Sequence, residues 1–320
     1  MAYTGTGTKD DPYVVDSWES YYNLLDGSNY YASKYYKFAD VDNKIVDFND
    51  IKPEGYTKPI QCNGHTDFNG WTFRNLRMIN VVSIFNPAYR AETDKWNTSE
   101  LKNGKFENVY VESTNSHFGF VSYDTFQWYY LKTDIRNMSF SGTFVFKGTG
   151  STNLLGYVNG YDGSSKTLYQ YVGCSFNFDI ILPDTTTTTI NISDGCDIEN
   201  CSFKLKTQSN AEIKIAYNSY KKYIYSKLLN SLIQFDAPNA TININNQTDS
   251  NGNLDDRVST CVIIPTCKEL KSTAKCVTTV YNSDNVQTDS TAGSGLIPCT
   301  TEQLGSVDYL QSVGFPIGAG

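Results

Sequence analysis

The sequence predicts an all-β chain wound as a β-solenoid, and three observations carry that expectation. Aromatic residues make up 14% of the 320 residues, including 24 Tyr and 17 Phe, while 19% are charged. Tyr, Phe, Val, Ile and Thr suit pleated, half-buried surfaces, and a helical bundle would need far more Ala, Glu, Lys and Leu. Asn, Gly, Ser and Asp supply frequent turns. Finally, a short unit repeats. Asn75-Leu76-Arg77-Met78, Asn108-Val109-Tyr110-Val111, Asn137-Met138-Ser139-Phe140, Gly173-Cys174-Ser175-Phe176 and Asn200-Cys201-Ser202-Phe203 share one pattern, with first residues 33, 29, 36 and 27 apart. That spacing fits one coil per repeat.

The elements follow in chain order. Thr4 to Thr8 form a glycine-rich turn leading through Pro12 into a short extended segment. The turn lacks the Gly-Lys-Ser/Thr ending of a phosphate cradle. Asp16 or Ser17 caps a helix in which Trp18, Tyr21, Tyr22, Leu24 and Leu25 form an apolar stripe before Gly27 ends it. An amphipathic helix at the start of a β-rich chain serves as a plug over the open end of a solenoid. Residues 1–34 are therefore read as turn and capping helix, and 35–248 as the solenoid. In it the inward positions of successive coils form ladders, one of them Met78, Val111, Phe140, Phe176 and Phe203. Segments 141–146, 178–182 and 241–245 read as strands, and Thr185–Thr189 as a turn entering another.

A polar break near Asp249 precedes residues 249–320, read as a separate small β/α closing element. Its strands begin at Cys261 and Cys276. A Thr300–Gln303 capping box opens one last helix, with Leu304, Val307, Leu310 and Val313 near one face and Gly314 stopping it. The apolar tail Phe315-Pro316-Ile317 is expected to be buried, in a groove of a neighbouring subunit or against its own last coil.

Charge narrows the function. With 26 Lys and Arg against 34 Asp and Glu the net charge is −8, which argues against a nucleic-acid partner. Membrane insertion is not expected, since no apolar run approaches the roughly 20 residues a spanning helix needs, and the start carries no signal peptide. The eight Cys are expected to be free, buried thiols, and with two His, His65 and His117, no zinc site is expected. No cofactor is expected either.

Gly5-Thr6-Gly7-Thr8-(x)2-Asp11-Pro12-Tyr13, followed by the helix and by Asn63-Gly64-His65-Thr66-(x)3-Gly70-(x)4-Asn75-Leu76, resembles the pectate-lyase-like β-helix proteins found among tailed-phage proteins and bacterial surface adhesins. Cys62 and the Asp67-Phe68-Asn69 interruption depart from that pattern. The resemblance implies a right-handed parallel β-helix. It implies a structural subunit of a tailed-bacteriophage virion, a tail or head fibre, spike or appendage, with other virion proteins and a host surface glycan as partners and a homo-oligomer, a trimer, as its assembled state. The alternatives are a carbohydrate-degrading tailspike and a bacterial cell-surface adhesin.

Should the chain be an enzyme, paired carboxylates would carry the chemistry, because glycosidases use two acids across the scissile bond. Asp179 with Asp184, and Asp194 with Asp197 and Glu199, are the candidates, beside the acidic stretch of Asp40, Asp42 and Asp47. Arg74, Arg77 and Arg136 form no lyase signature, and His65 is expected to bond backbone from its turn. Asp249, Asn251, Asn253 and Asp255 alternate around Gly252 as in a calcium loop, but the twelfth position is Thr260 rather than Glu, so a turn is preferred and no metal is expected. Dense Tyr clusters exceed what inward positions can hold, so Tyr220, Tyr223 and Tyr225, with Phe315 and Ile317, are assigned to an interface.

Overall fold

The computed structural model describes residues 3–26, 34–62, 64–86, 97–114, 118–122, 131–148, 151–157, 167–183, 188–192, 196–215, 227–244, 258–273, 275–291 and 295–316. Strands dominate, and nearly all their pairing is parallel between successive coils, an arrangement compatible with a β-solenoid. Among the described residues three sheets run along the stack, of 11, 15 and 4 strands. The first takes one short strand from each coil, from Tyr13–Val15 and Tyr35–Phe38 through Asn97–Lys102 and Thr167–Val172 to Cys276–Val277. The second takes the strand that follows, such as Thr72–Arg74, Lys105–Ser113, Ser139–Phe146, Ser175–Ile181 and Ser202–Lys206. The third holds Ile60–Gln61, Ser83–Asn86, Gly119–Ser122 and Gly156–Tyr157.

A bend of two residues joins first to second sheet in most coils. Its leading residue lies in the left-handed region at Asn103, Asn137, Gly173, Asn200, Asn230 and Thr260. Asn and Gly tolerate this region because glycine has no Cβ and the Asn amide can bond locally. Asn103 Nδ2 donates to Asp67 Oδ1 at 3.0 Å, and Asn137 Nδ2 to Asn103 Oδ1 at 3.4 Å, so the bends are stitched from coil to coil.

The second bend residue points inward and makes another ladder. Gly104 N–H donates to Met138 Sδ at 3.2 Å, Cys174 N–H to Cys201 Sγ at 3.4 Å and Cys201 N–H to Ser231 Oγ at 3.1 Å. The amides of Met138 and Ser231 bond Cys174 and Cys261 in the same way. Each thiol in turn donates to carbonyls, Cys201 to Glu199 at 3.2 Å and Cys261 to Ser259 at 3.2 Å. Buried amides at a bend have no strand partner, and these side chains accept from them. All eight Cys are free and buried, as the sequence reading holds.

The core ladder differs from the expected one. Phe73, Phe106, Phe140, Phe176 and Phe203 occupy the same position in successive coils. Their rings stack at 4.7, 5.2, 5.7 and 5.0 Å, with planes 9° to 19° apart. Met78 and Val111 belong instead to a parallel ladder that continues at Phe144 and Ile180. The cause is a second bend. Asn75 and Asn108 open it, whereas Asn137, Gly173 and Asn200 open the first. Both bends need a left-handed residue followed by an inward one, so they share one sequence pattern.

The first coil is closed by helix α1 (Trp18–Asp26), which buries Trp18, Tyr21 and Leu25. Trp18 Nε1 donates to the Tyr56 hydroxyl at 2.9 Å, and the Tyr21 hydroxyl pairs with Thr66 at 2.8 Å, so the plug's buried polar atoms are satisfied. Ser17 Oγ caps it by accepting from Ser20 N–H. The glycine-rich turn is a tie. The amides of Thr6, Gly7 and Thr8 converge on the Asp11 carbonyl and are thereby spent.

At the other end the strands beyond residue 257 extend the same sheets. Val262–Ser272 pairs in parallel along Leu232–Ile244, and Val258–Ser259 and Cys276–Val277 extend the first sheet. Coil pairing continues to Leu296–Cys299, because residues beyond 257 repeat the same inward apolar positions. The single last helix is corrected. Phe48–Ile51 being the four-residue helix α2, Gly305 and Ser306 divide the last one into α3 (Thr301–Leu304) and α4 (Val307–Ser312). Ser306 caps the latter through Tyr309 N–H, and neither helix buries a residue. The Thr300–Gln303 capping box is present.

Candidate functional site

Among the described residues, the first and second sheets each carry a hollow on the outer surface. The one on the second sheet, about 360 Å³, is lined by Asn108, Ser141, Gly142, Thr143, Asn177 and Asp179. It exists because Lys105–Ser113 carries a bulge, where the pairing register shifts between Phe106 and Val109. Gly142 sits against the bulge with φ 152°, and a Cβ there would lie 1.9 Å from the Val109 carbonyl oxygen. Asn108 Nδ2 donates to Asn75 Oδ1 at 2.6 Å, and Asn75 Nδ2 to both Asp47 oxygens, so the second bend has its own amide chain.

The hollow on the first sheet, about 390 Å³, lies where the N-terminal turn meets the outer face of the sheet. Lys9, Pro12, Tyr35, Tyr36, Lys37, His65, Asp67, Glu100 and Lys102 line it. Register brings Tyr35, His65, Glu100 and Asp134 into one outward column and Lys37, Asp67, Lys102 and Arg136 into the next. His65 stacks on Tyr35 with centroids 4.3 Å and planes 7° apart. Among the described residues this stacking is the contact its ring makes. Burial lowers the His65 pKa from its ordinary value and keeps the imidazole neutral at pH 7. Glu100 pairs with Lys102 at 2.8 Å, and Asp67 accepts from Asn69 N–H at 2.9 Å and from Asn103.

Of the carboxylates the sequence singles out, Asp197 and Glu199 share the outer face of one strand. Asp179 is exposed on the second sheet, whereas Asp197 and Glu199 lie on Cys196–Glu199 of the first. Asp184 and Asp194 lie outside the described residues. Asp40 pairs with Lys44 at 2.7 Å, and Asp47 accepts from Asn75 and Asn49; these bonds hold both carboxyls below the usual range. A general acid needs the opposite shift. Arg74 pairs with Glu107, Arg77 lies over the Tyr110 ring, and Arg136 pairs with Asp134. Asp249, Asn251, Asn253 and Asp255 lie outside the described residues, as do Tyr220, Tyr223, Tyr225 and Ile317. Among the described residues no group of three or more His, Cys, Asp or Glu is placed to hold a metal ion, and no helix is long and apolar enough to cross a membrane. Phe315 is half-buried in its own chain, its N–H bonded to Leu310 O, with Gly314 beside Thr278.

Sequence reasoning missed the first-sheet hollow. Its residues come from four distant segments that only the coil register aligns. Comparison with protein-family models, curated proteins and solved structures finds no match for this chain.

Proposed function

We propose that this chain is a right-handed parallel β-helix serving as a rigid structural subunit of a tailed-bacteriophage virion, a fibre, spike or appendage that contributes to host attachment or particle architecture. The observation that carries the reading is the unbroken interior: five stacked Phe rings, a parallel thiol and hydroxyl ladder, and stitched Asn bends run through successive coils. Such stacking resists bending, since successive coils are paired along both long sheets. The likeness of residues 4 to 80 to phage and adhesin β-helix proteins supports the setting. The α1 plug supports it too, because it protects one end of the stack from edge pairing.

The test is the native mass and surface chemistry of the purified protein. A trimer, incorporated into purified particles, with no release of sugar from host polysaccharide, is the expected result. Deletion of residues 314–320 is expected to leave the coils folded and weaken the trimer. A monomer that never enters particles overturns the structural reading. Glycan cleavage abolished by Asp179→Asn moves the protein to the carbohydrate-degrading alternative.

A further inference from the structure

We propose that the first-sheet hollow between the N-terminal turn and Tyr35, His65 and Glu100 binds one acidic sugar unit, a pyranose bearing a carboxylate. The inference rests on the attachment reading for its biological setting only, and its geometry stands without it.

Size comes first. At about 390 Å³ the hollow is at the low end of small-ligand sites, enough for a single ring and its substituents. Charge comes next. Three lysines line it against two carboxylates, in a chain whose overall charge is −8. Glu100 is neutralised by Lys102, with Arg136 at 3.8 Å behind it, and Asp67 is held by the Asn69 amide and the Asn103 side chain. Lys9 forms no ion pair with a described residue, and Lys37 lies opposite Asp67 in the strand register with Asp40 near it, so the ammonium groups outnumber the carboxylates of the lining by one. An anion is what they can take up.

The remaining lining selects among anions. The Tyr35 and His65 rings, stacked face to face, give an aromatic wall beside the hollow, which a bare phosphate cannot use. Asp67 and Glu100 keep lone pairs beyond those their partners fill, and these accept sugar hydroxyls. Cations for a carboxylate, acceptors for hydroxyls and a ring surface for C–H groups together fit an acidic sugar.

Calorimetric titration of the full chain tests this with four probes: galacturonic acid trimer, N-acetylneuraminic acid, maltotriose and inorganic phosphate. Binding of at least one acidic sugar is expected, weakened by salt, with maltotriose and phosphate bound at least tenfold more weakly. The double variant Lys9→Gln/Lys37→Gln should lose tenfold or more in affinity at an unchanged melting temperature, both lysines being surface groups. Tyr35→Phe should retain binding, which separates the ring surface from the hydroxyl. Failure of both acidic sugars to bind, phosphate binding as tightly as they do, or full affinity in the double variant would each overturn the proposal. None of these results bears on native mass or particle incorporation, so the two readings fail separately.

Discussion

The amide of Cys201 donates to Ser231 Oγ at 3.1 Å, from one coil to the next. The same link joins Cys174 N–H to Cys201 Sγ at 3.4 Å, so a thiol and a hydroxyl are interchangeable in one ladder. Their common property is a short side chain that accepts from the preceding coil's bend and donates to a nearby carbonyl. This explains why Cys174, Cys201 and Cys261 stay unpaired and inside.

Cys201→Ala should cost about 1 to 3 kcal/mol, because it leaves the Cys174 amide buried without an acceptor. Cys201→Ser should cost less than about half of that, since the hydroxyl keeps both bonds. Urea unfolding of the two variants measures the difference. Equal destabilisation by Ala and Ser would show that the ladder contributes packing alone.

The thiols of Cys261, Cys267 and Cys299 should be silent in the folded protein. Burial pushes Cys261 and Cys267 up to about 12 and Cys299 up to about 11. These thiols hold their protons in the folded chain, whereas unfolded ones release them near pH 8.5. The folded state therefore binds more protons above that pH, and stability should be level below about pH 8 and fall from about pH 9 toward 12. A thiol reagent at pH 8 should label none of these three until denaturant is added. Rapid labelling of the native protein, or stability rising above pH 9, would contradict the burial assigned to them.

Gly142→Ala should be among the most damaging single changes, at about 3 kcal/mol or more, because the new Cβ would meet the Val109 carbonyl in a backbone conformation that disfavours side chains. Thermal unfolding checks it. A variant that melts with the parent would mean that the bulge relaxes at no cost.

Thr260 stands where earlier coils carry Asn200 and Asn230, at φ 56°. A β-branched residue is strained there, so Thr260→Asn should stabilise the chain by about 1 kcal/mol. A denaturation midpoint unchanged or lowered would show that the last bends differ from the earlier ones.

The same residues show what the sequence could and could not disclose. Asn137, Gly173 and Asn200 announce coils plainly, because few residues tolerate a left-handed bend. The identical local need at Asn75 and Asn108 hid a second bend, and with it the true neighbours of Phe140. Strand character past residue 257 was visible at Cys261 and Cys276, yet its membership of the same sheets was not, since pairing across coils leaves no local mark. The first-sheet hollow was the least legible. Tyr35, His65 and Glu100 become neighbours only through register, and register depends on the length of every intervening turn.

The most direct test of the coil stack is a double-mutant cycle on Phe140 and Phe176, which lie 36 positions apart and stack at 5.7 Å. Each single change to Ala should cost about 3 to 5 kcal/mol. The stacked pair should show a coupling of about 0.5 to 1.5 kcal/mol, and the pair Phe73 and Phe203, at the two ends of the stack, should be additive. Additivity of Phe140 with Phe176, or near-neutral single changes, would contradict the parallel stacking on which the account depends.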